Sequence, residues 1–280
     1  MKIRPWLTGA AGVTAVMLGF GTSASAAVQH PASHTPSAGH GYAKNLPMAG
    51  LRLRPAGTVF GPNWAGYIAF ANRNVALRYV AADFSIPSLN CANAAANATV
   101  AQFVGLEDFN VSGELTGIQG TCNSDGTSSY QAFYNIGSSG GGSTGTINPG
   151  DAIQASVYYN ATTKKYTFFV NDVTQGGTPL INTTVSCPSG SSCSTATAEA
   201  ITDDPFDTQT QQNFPLANYG MVNITGGVVT SRDGLKGGFG PAKLWSSSEL
   251  GIKDGGGVVM ATPSSLAGGT AFNTTWHAAS

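Results

Sequence analysis

Over residues 57–280 the chain runs in short stretches rich in Val, Ile, Tyr, Phe and Thr, each ended by a cluster of Gly, Pro, Asn or Ser. No window of useful length repeats apolar residues at helical spacing, so the pattern predicts an almost entirely β protein. The clearest element is a hairpin over 152–173. Ile153, Ala155, Val157 and Tyr159 alternate with Gln154, Ser156 and Tyr158, then Asn160-Ala161-Thr162-Thr163 turns the chain into Tyr166, Phe168 and Val170. A period of two marks antiparallel strands with one face buried and the other wet. Further strands are predicted near 63–70, 75–86, 99–105, 114–120, 129–136, 195–202, 221–225 and 258–261. Many short strands with short connections and no fixed internal repeat imply a single all-β domain, a two-sheet antiparallel β-sandwich. About 220 residues are ample for one such core.

Upstream the pattern differs. Lys2 and Arg4 precede an apolar run from Leu7 to Phe20, and small residues end in Ala24-Ser25-Ala26. This reads as a secretory signal over 1–26 with an A-x-A cleavage site. The run is shorter than the roughly 20 residues a bilayer span needs, and no later segment is apolar enough to span, so no membrane association is expected once the signal is removed. Residues 27–56 hold Pro31, Pro36, Pro47 and Pro55, three histidines and no acidic residue, without a hydrophobic period. They read as a flexible leader or propeptide. The expected organisation is thus signal, leader, and a domain over 57–280 in a secreted, extracellular protein that acts as a monomer.

Charge narrows the functions. The chain has only 13 basic and 14 acidic residues among 280, and 37 glycines, against roughly a quarter charged and 7% glycine in average proteins. Five of the basic residues (Lys2, Arg4, Lys44, Arg52 and Arg54) and none of the acids lie in 1–56, which leaves the domain with a formal net charge of −6. With no basic cluster to neutralise phosphates, nucleic acid is excluded as a partner. Four cysteines in an exported chain fit two disulfides, and their order favours Cys91–Cys122 and Cys187–Cys193. Neither paired C-x-x-C motifs nor nearby histidines are present for zinc, so no metal is expected.

The four histidines are His30, His34 and His40 in the leader and His277 beside the C-terminus. A Ser-His-Asp or Cys-His hydrolase needs an imidazole in its site, which leaves carboxylates as the candidate acids and bases. The domain has four glutamates: Glu107, Glu114, Glu199 and Glu249. One stretch, Ala198-Glu199-Ala200-Ile201-Thr202-Asp203-Asp204-Pro205, sets acids among apolar residues, and on a strand Glu199, Ile201 and Asp203 share a face. Read alone, these acids suit a strand end at a solvated loop, since acids are mostly exposed. In Gly117-Ile118-Gln119-Gly120 a lone amide sits between glycines, which would leave the space above a sheet open to a ligand.

Seven motifs in order complete the reading: Asn63-Trp64-Ala65-Gly66-Tyr67, Phe84-Ser85-Ile86-Pro87, Phe103-Val104-Gly105-Leu106-Glu107, Gly117-Ile118-Gln119-Gly120, Tyr130-Gln131-Ala132-Phe133-Tyr134, Pro149-Gly150-Asp151 and Ala198-Glu199-Ala200-Ile201. Together with the signal and leader, this series resembles the eqolisin, or glutamic peptidase, family over about 63–276. The resemblance implies a concanavalin-like sandwich of two long curved sheets, a catalytic Gln and Glu on the concave face, no cofactor, and acid endopeptidase activity on polypeptides. The family's glutamine falls on Gln119. Its catalytic glutamate, the second acid of an A-E-W-I-V-E stretch, falls on Asp203, and the earlier glutamate on Glu199.

The expected substrate-binding positions also differ from the family. Phe103 stands for a tryptophan, Glu107 for an aspartate, Gln131 for an aspartate and Phe133 for a tryptophan, while Asn135 stands for a glutamate. In the implied mechanism a carboxylate activates water and then protonates the departing amine, while the glutamine amide donates to the oxyanion. Asp203 is one methylene short of the family acid, and Glu199, two same-face positions away, is the alternative acid. Two functions stay open: a secreted endopeptidase using a Gln and carboxylate dyad, or an inactive sandwich that binds peptide or glycan in the same groove.

Overall fold

The structure is a computed structural model that describes residues 57–72, 75–107, 113–137, 139–143, 145–189, 193–207 and 212–279. The signal and leader expected over 1–26 and 27–56 lie outside the described residues. Among the described residues eighteen strands follow one another: β1 (Val59–Gly61), β2 (Trp64–Ala71), β3 (Leu77–Ser85), β4 (Thr99–Glu107), β5 (Glu114–Cys122), β6 (Ser128–Ile136), β7 (Ser139–Ser143), β8 (Ala152–Asn160) and β9 (Lys165–Asp172). Then come β10 (Ile181–Ser186), β11 (Thr197–Asp203), β12 (Phe206–Asp207), β13 (Gln212–Asn213), β14 (Met221–Ser231), β15 (Lys236–Gly237), β16 (Trp245–Lys253), β17 (Val259–Pro263) and β18 (Phe272–Trp276). No helix among the described residues is long and apolar enough to cross a membrane.

The strands hydrogen-bond in the order β10-β9-β8-β3-β14-β18-β17-β16-β2-β11-β4-β5-β6-β7. All neighbours in this path are antiparallel, while β1 pairs parallel to β16. The path folds over near β17, so that β3 and β8 lie against β4 and β11 as two layers. The front layer is β16-β2-β11-β4-β5-β6-β7 and the back layer is centred on β8, β3 and β14. Between them, Val80, Phe84, Val157, Phe168 and Ile224 from the back meet Tyr67, Val104, Ile118, Ala198 and Ala200 from the front in one core. This is the antiparallel sandwich that the strand pattern implied.

The expected hairpin is β8–β9. Asn160 Oδ1 accepts the amide N–H groups of Thr162 (3.0 Å) and Thr163 (3.1 Å), and Lys164 takes a left-handed φ of 55°. An Asx turn of this kind supplies the loop with its own hydrogen bonds. Both disulfides pair as expected, Cys91–Cys122 and Cys187–Cys193, and the first ties the segment after β3 to the end of β5. Strand β7 escaped the sequence because Ser139 to Ser143 contains only Ser and Gly, with no side-chain alternation to read. Strands β10, β16 and β18 were missed as well, with the short β1, β12, β13 and β15. Strand β16, for example, opens with three consecutive serines after Trp245, which blurs the period of two.

Two of the seven motifs prove to be architectural. Gly150 N–H donates to the Ile86 carbonyl (2.8 Å) and Ile86 N–H to the Asp151 carbonyl (2.9 Å), clasping β3 to the entry of β8. The Asp151 carboxylate accepts Asn148 N–H (2.7 Å) and Gln175 Nε2 (2.7 Å), so it serves the loop. The other five motifs fall on β2, β4, β5, β6 and β11, all in the front layer.

Candidate active site

Central strands β2, β4 and β11 are buried at every position. Their inward residues complete the inter-layer core, as the Thr202–Thr274 hydroxyl contact across the layers (2.7 Å) illustrates. Their outward residues Trp64, Ile68, Phe70, Ala101, Phe103 and Ile201 join Leu115 of β5, Phe133 of β6 and Leu250 of β16 in a second apolar cluster on the opposite face. A sheet that buries both faces shows near-continuous apolar sequence, and here the outer face also carries amides and carboxylates.

Register fixes which of these groups meet. Gln131, Gln119, Ala101, Asp203 and Trp64 are successive cross-strand partners on β6, β5, β4, β11 and β2. With strands about 4.8 Å apart, the Gln119 and Asp203 backbones stand roughly 10 Å from one another, and only the methyl of Ala101 lies between. The next row on this face is Phe133, Gly117, Phe103, Ile201, Gly66 and Leu250. Trp64 meets Phe103 edge-on, with centroids 6.1 Å apart, so aromatic rings border the Gln119–Asp203 row on one side. A third row brings Asn135, Leu115, Gly105, Glu199 and Ile68 together.

Glu199 is therefore on the face expected, but four residues from Asp203, or roughly 13 Å along the strand. Its carboxyl leans over Gly105, where an added Cβ would lie 2.6 Å from Glu199 Oε1. Glu107 is on the neighbouring strand, opposite Thr197, and both glutamates are fully buried. Burial holds the Glu199 carboxyl above the usual carboxylate range; contact with Glu107 opposes this, and the Asp203 and Glu114 charges add to it. Gln119 is half-buried, and its Nε2 reaches Thr121 Oγ1 only at 3.5 Å.

Two readings change. The acids of the Glu199-to-Asp204 stretch do not end at a solvated loop: Glu199, Asp203 and Asp204 are 0%, 0% and 1% exposed. And Gly117 is glycine for a backbone reason, since an added Cβ would stand 1.9 Å from the Gln102 carbonyl oxygen. Any larger residue would pry β5 from β4 beside Gln119. Gly120 faces the other side, where a Cβ would meet the Tyr130 ring at 2.9 Å.

Several residues at the site went unremarked in the sequence. Ala101 matters for its small size between Gln119 and Asp203. Asn63 donates from Nδ2 to Asp203 Oδ1 at 3.4 Å. Asp204 Oδ2 accepts Asn213 Nδ2 at 3.2 Å, and burial, reinforced by the Asp203 charge and opposed by this hydrogen bond, pushes the carboxyl up to about 8. Asn63 lay in a quoted motif and Asp204 beside a candidate acid, whereas nothing in the sequence marked Asn213. Among the described residues no cluster of three or more His, Cys, Asp or Glu could hold a metal ion.

The outer face of the front sheet of this antiparallel sandwich thus carries an amide and a carboxylate in one row. The peptidase A4 family profile matches residues 62–275. Scytalido-glutamic peptidase, crystallised with a peptide-based transition-state analogue, superposes with a TM-score of 0.63 at 21% identity, over 77% of this chain and 98% of that one. SCP-B, an eqolisin in complex with the tripeptide Ala-Ile-His, gives 0.61 at 21% identity over the same shares. No curated protein sequence matches the chain. The chain belongs to the peptidase A4, or eqolisin, family.

Proposed function

We propose that this protein is a secreted acid endopeptidase of the glutamic type, in which Gln119 and Asp203 form the catalytic dyad. The observation that carries the reading is the row Gln119–Ala101–Asp203. A peptide carbonyl laid over Ala101 has an amide donor on one side and a carboxylate on the other. Asp203, ionised, takes a proton from water as that water attacks the carbonyl carbon. The oxygen gains charge and accepts a hydrogen bond from Gln119 Nε2, and the proton held by Asp203 passes to the departing amine nitrogen.

Of the expected substrate-binding residues, Gln131 is half-buried and offers a polar contact on this face, while Phe103, Phe133 and Glu107, at most 2% exposed, form the packed floor beneath it. The two solved relatives hold a peptide-based analogue and a tripeptide, which supports polypeptide as the substrate class. Glu199 is the weaker candidate for the acid because it stands two rows from Gln119 and leans toward Glu107. No cofactor enters the mechanism.

One observation favours a second reading, a non-catalytic peptide- or glycan-binding sandwich: Asp203 is one methylene shorter than the family acid, and about 1 Å of misplacement costs on the order of 100-fold in rate. Digestion of a denatured protein between pH 2 and pH 7 by wild type, Gln119→Ala, Asp203→Asn and Glu199→Gln separates the readings. Cleavage by wild type and Glu199→Gln but not by the other two supports the dyad. A folded wild type that cleaves nothing leaves the groove as a binding site.

A further inference from the structure

The short acid must be held where a longer one would reach, and the structure contains a device for this at the end of β11. Asn63 precedes β2 and is 1% exposed. Its side chain donates to Asp203 Oδ1 at 3.4 Å, while its main-chain carbonyl accepts the Asp204 N–H at 2.8 Å. One residue thus grips two successive positions of the strand that carries the acid. Asn213, on β13, donates from Nδ2 to the Pro62 carbonyl (3.1 Å) and to Asp204 Oδ2 (3.2 Å), and Phe214 N–H reaches the Pro205 carbonyl (2.9 Å). The turn before β2, the end of β11 and the β12–β13 hairpin are therefore joined by two asparagine amides.

Strand β11 needs this restraint, because its pairing with β2 and β4 ends at Asp203. Ladder hydrogen bonds hold residues before that point, and past it the chain turns through Asp204 and Pro205. We infer that Asn63 is a positioning residue for the Asp203 carboxylate, with Asn213 as the brace that fixes Asn63 from behind. The inference rests on the reading of Asp203 as the acid.

An amide donor to a carboxylate also favours its ionised form, which is the form that activates water. Asp203 is flanked in its row by Ala101 and Trp64, neither of which ionises. The Asp204 and Glu199 carboxyls are coupled electrostatically to it. Burial raises both carboxyls, so at low pH they are protonated and set no negative charge beside Asp203, while the Asn63 donor favours its ionised form.

The test is the pH dependence of kcat/KM on a peptide substrate, with melting temperatures recorded for every variant. Asn63→Ala is expected to move the acid limb up by about one pH unit and to lower kcat by about 10- to 100-fold, with KM within about twofold of wild type. Asn63→Asp moves the limb further, because the new carboxyl donates only while protonated and repels Asp203 once ionised. Asn213→Ala gives a smaller shift in the same direction, and stands in if the Asn63 variants do not fold.

A merely structural role would lower the melting temperature and leave the limb in place; folded Asn63 variants with an unmoved limb overturn the inference. Retained activity in Asp203→Asn sinks the underlying assignment of the acid instead. Should wild type cleave nothing, the catalytic reading fails, and a carbon-13 NMR titration of Asp203 in wild type and Asn63→Ala still decides whether Asn63 controls that carboxyl.

Discussion

The β8–β9 hairpin of the back layer and the β2–β11–β4 centre of the front layer are built from the same residue types, yet they obey different rules. In the hairpin, buried and exposed positions alternate, as in Ile153, Ala155 and Val157 against Gln154 and the exposed Tyr158. One face meets the core, the other meets water, and each residue needs to suit only one environment. In the front centre all positions are buried, and Glu199, Glu107 and Asp203 have been placed where a folding argument would put leucine. Buried carboxyls cost several kcal/mol unless they are protonated or hydrogen-bonded. A protein tolerates that cost where chemistry requires it, so the departure from alternation supports placing the proposed site here.

The sharpest way to break this contrast is to separate activity from stability. Gln119→Ala is expected to reduce kcat by 100- to 1,000-fold, and Asp203→Asn to remove activity to background, each with thermal unfolding close to wild type. Phe168→Ala, in the hairpin core, should do the reverse: stability falls by about 3–5 kcal/mol while kcat per folded molecule is unchanged. Equal losses of both properties in all three variants would erase the distinction between the regions.

A second expectation concerns acid. Burial, reinforced by the Asp203 charge, pushes the Asp204 carboxyl from its ordinary 3.8 up to about 8 in the folded protein. Between those values the native state holds a proton that the unfolded chain has lost, so stability falls as pH rises, by at most about 1.4 kcal/mol per pH unit for this group. Calorimetry should therefore find the highest melting temperature near or below pH 4 and a decline toward pH 8. The Asp204→Asn variant should show a flatter profile, and one as steep as wild type would assign the pH dependence elsewhere.

Effects of intermediate size test the scaffold. Reduction of Cys91–Cys122, which closes a 31-residue separation, is expected to cost about 3–4 kcal/mol by loop entropy, and removal of Cys187–Cys193, with a separation of 6, distinctly less. Gly117→Ala should lower stability by about 2–4 kcal/mol, as overpacked sites do, and activity with it, because the added methyl must push against the Gln102 carbonyl beside Gln119. At the small end, Thr167→Ala, which breaks the hydroxyl contact with Thr184 (2.8 Å), should change stability by about 0.5 kcal/mol. A larger loss there would show that the wet face of the hairpin is not passive.

What the sequence determined by itself was whatever depends on near neighbours. Alternation gave the hairpin, its turn, the β class and the shared face of Glu199 and Asp203, because a strand's period of two is local. Cysteine order gave both disulfides, and the order of the motifs gave the family. The tertiary structure decided everything that depends on register between distant strands. Strand β11 lies between β2 and β4, which precede it by some hundred residues, and only that placement puts Asp203, and not Glu199, in line with Gln119 across Ala101. The same insertion brings Asn63 onto Asp203 and removes from water the acids that the local pattern had placed at a solvated loop. Burial and cross-strand pairing are sums over contacts far apart in the chain, and no window of sequence contains them.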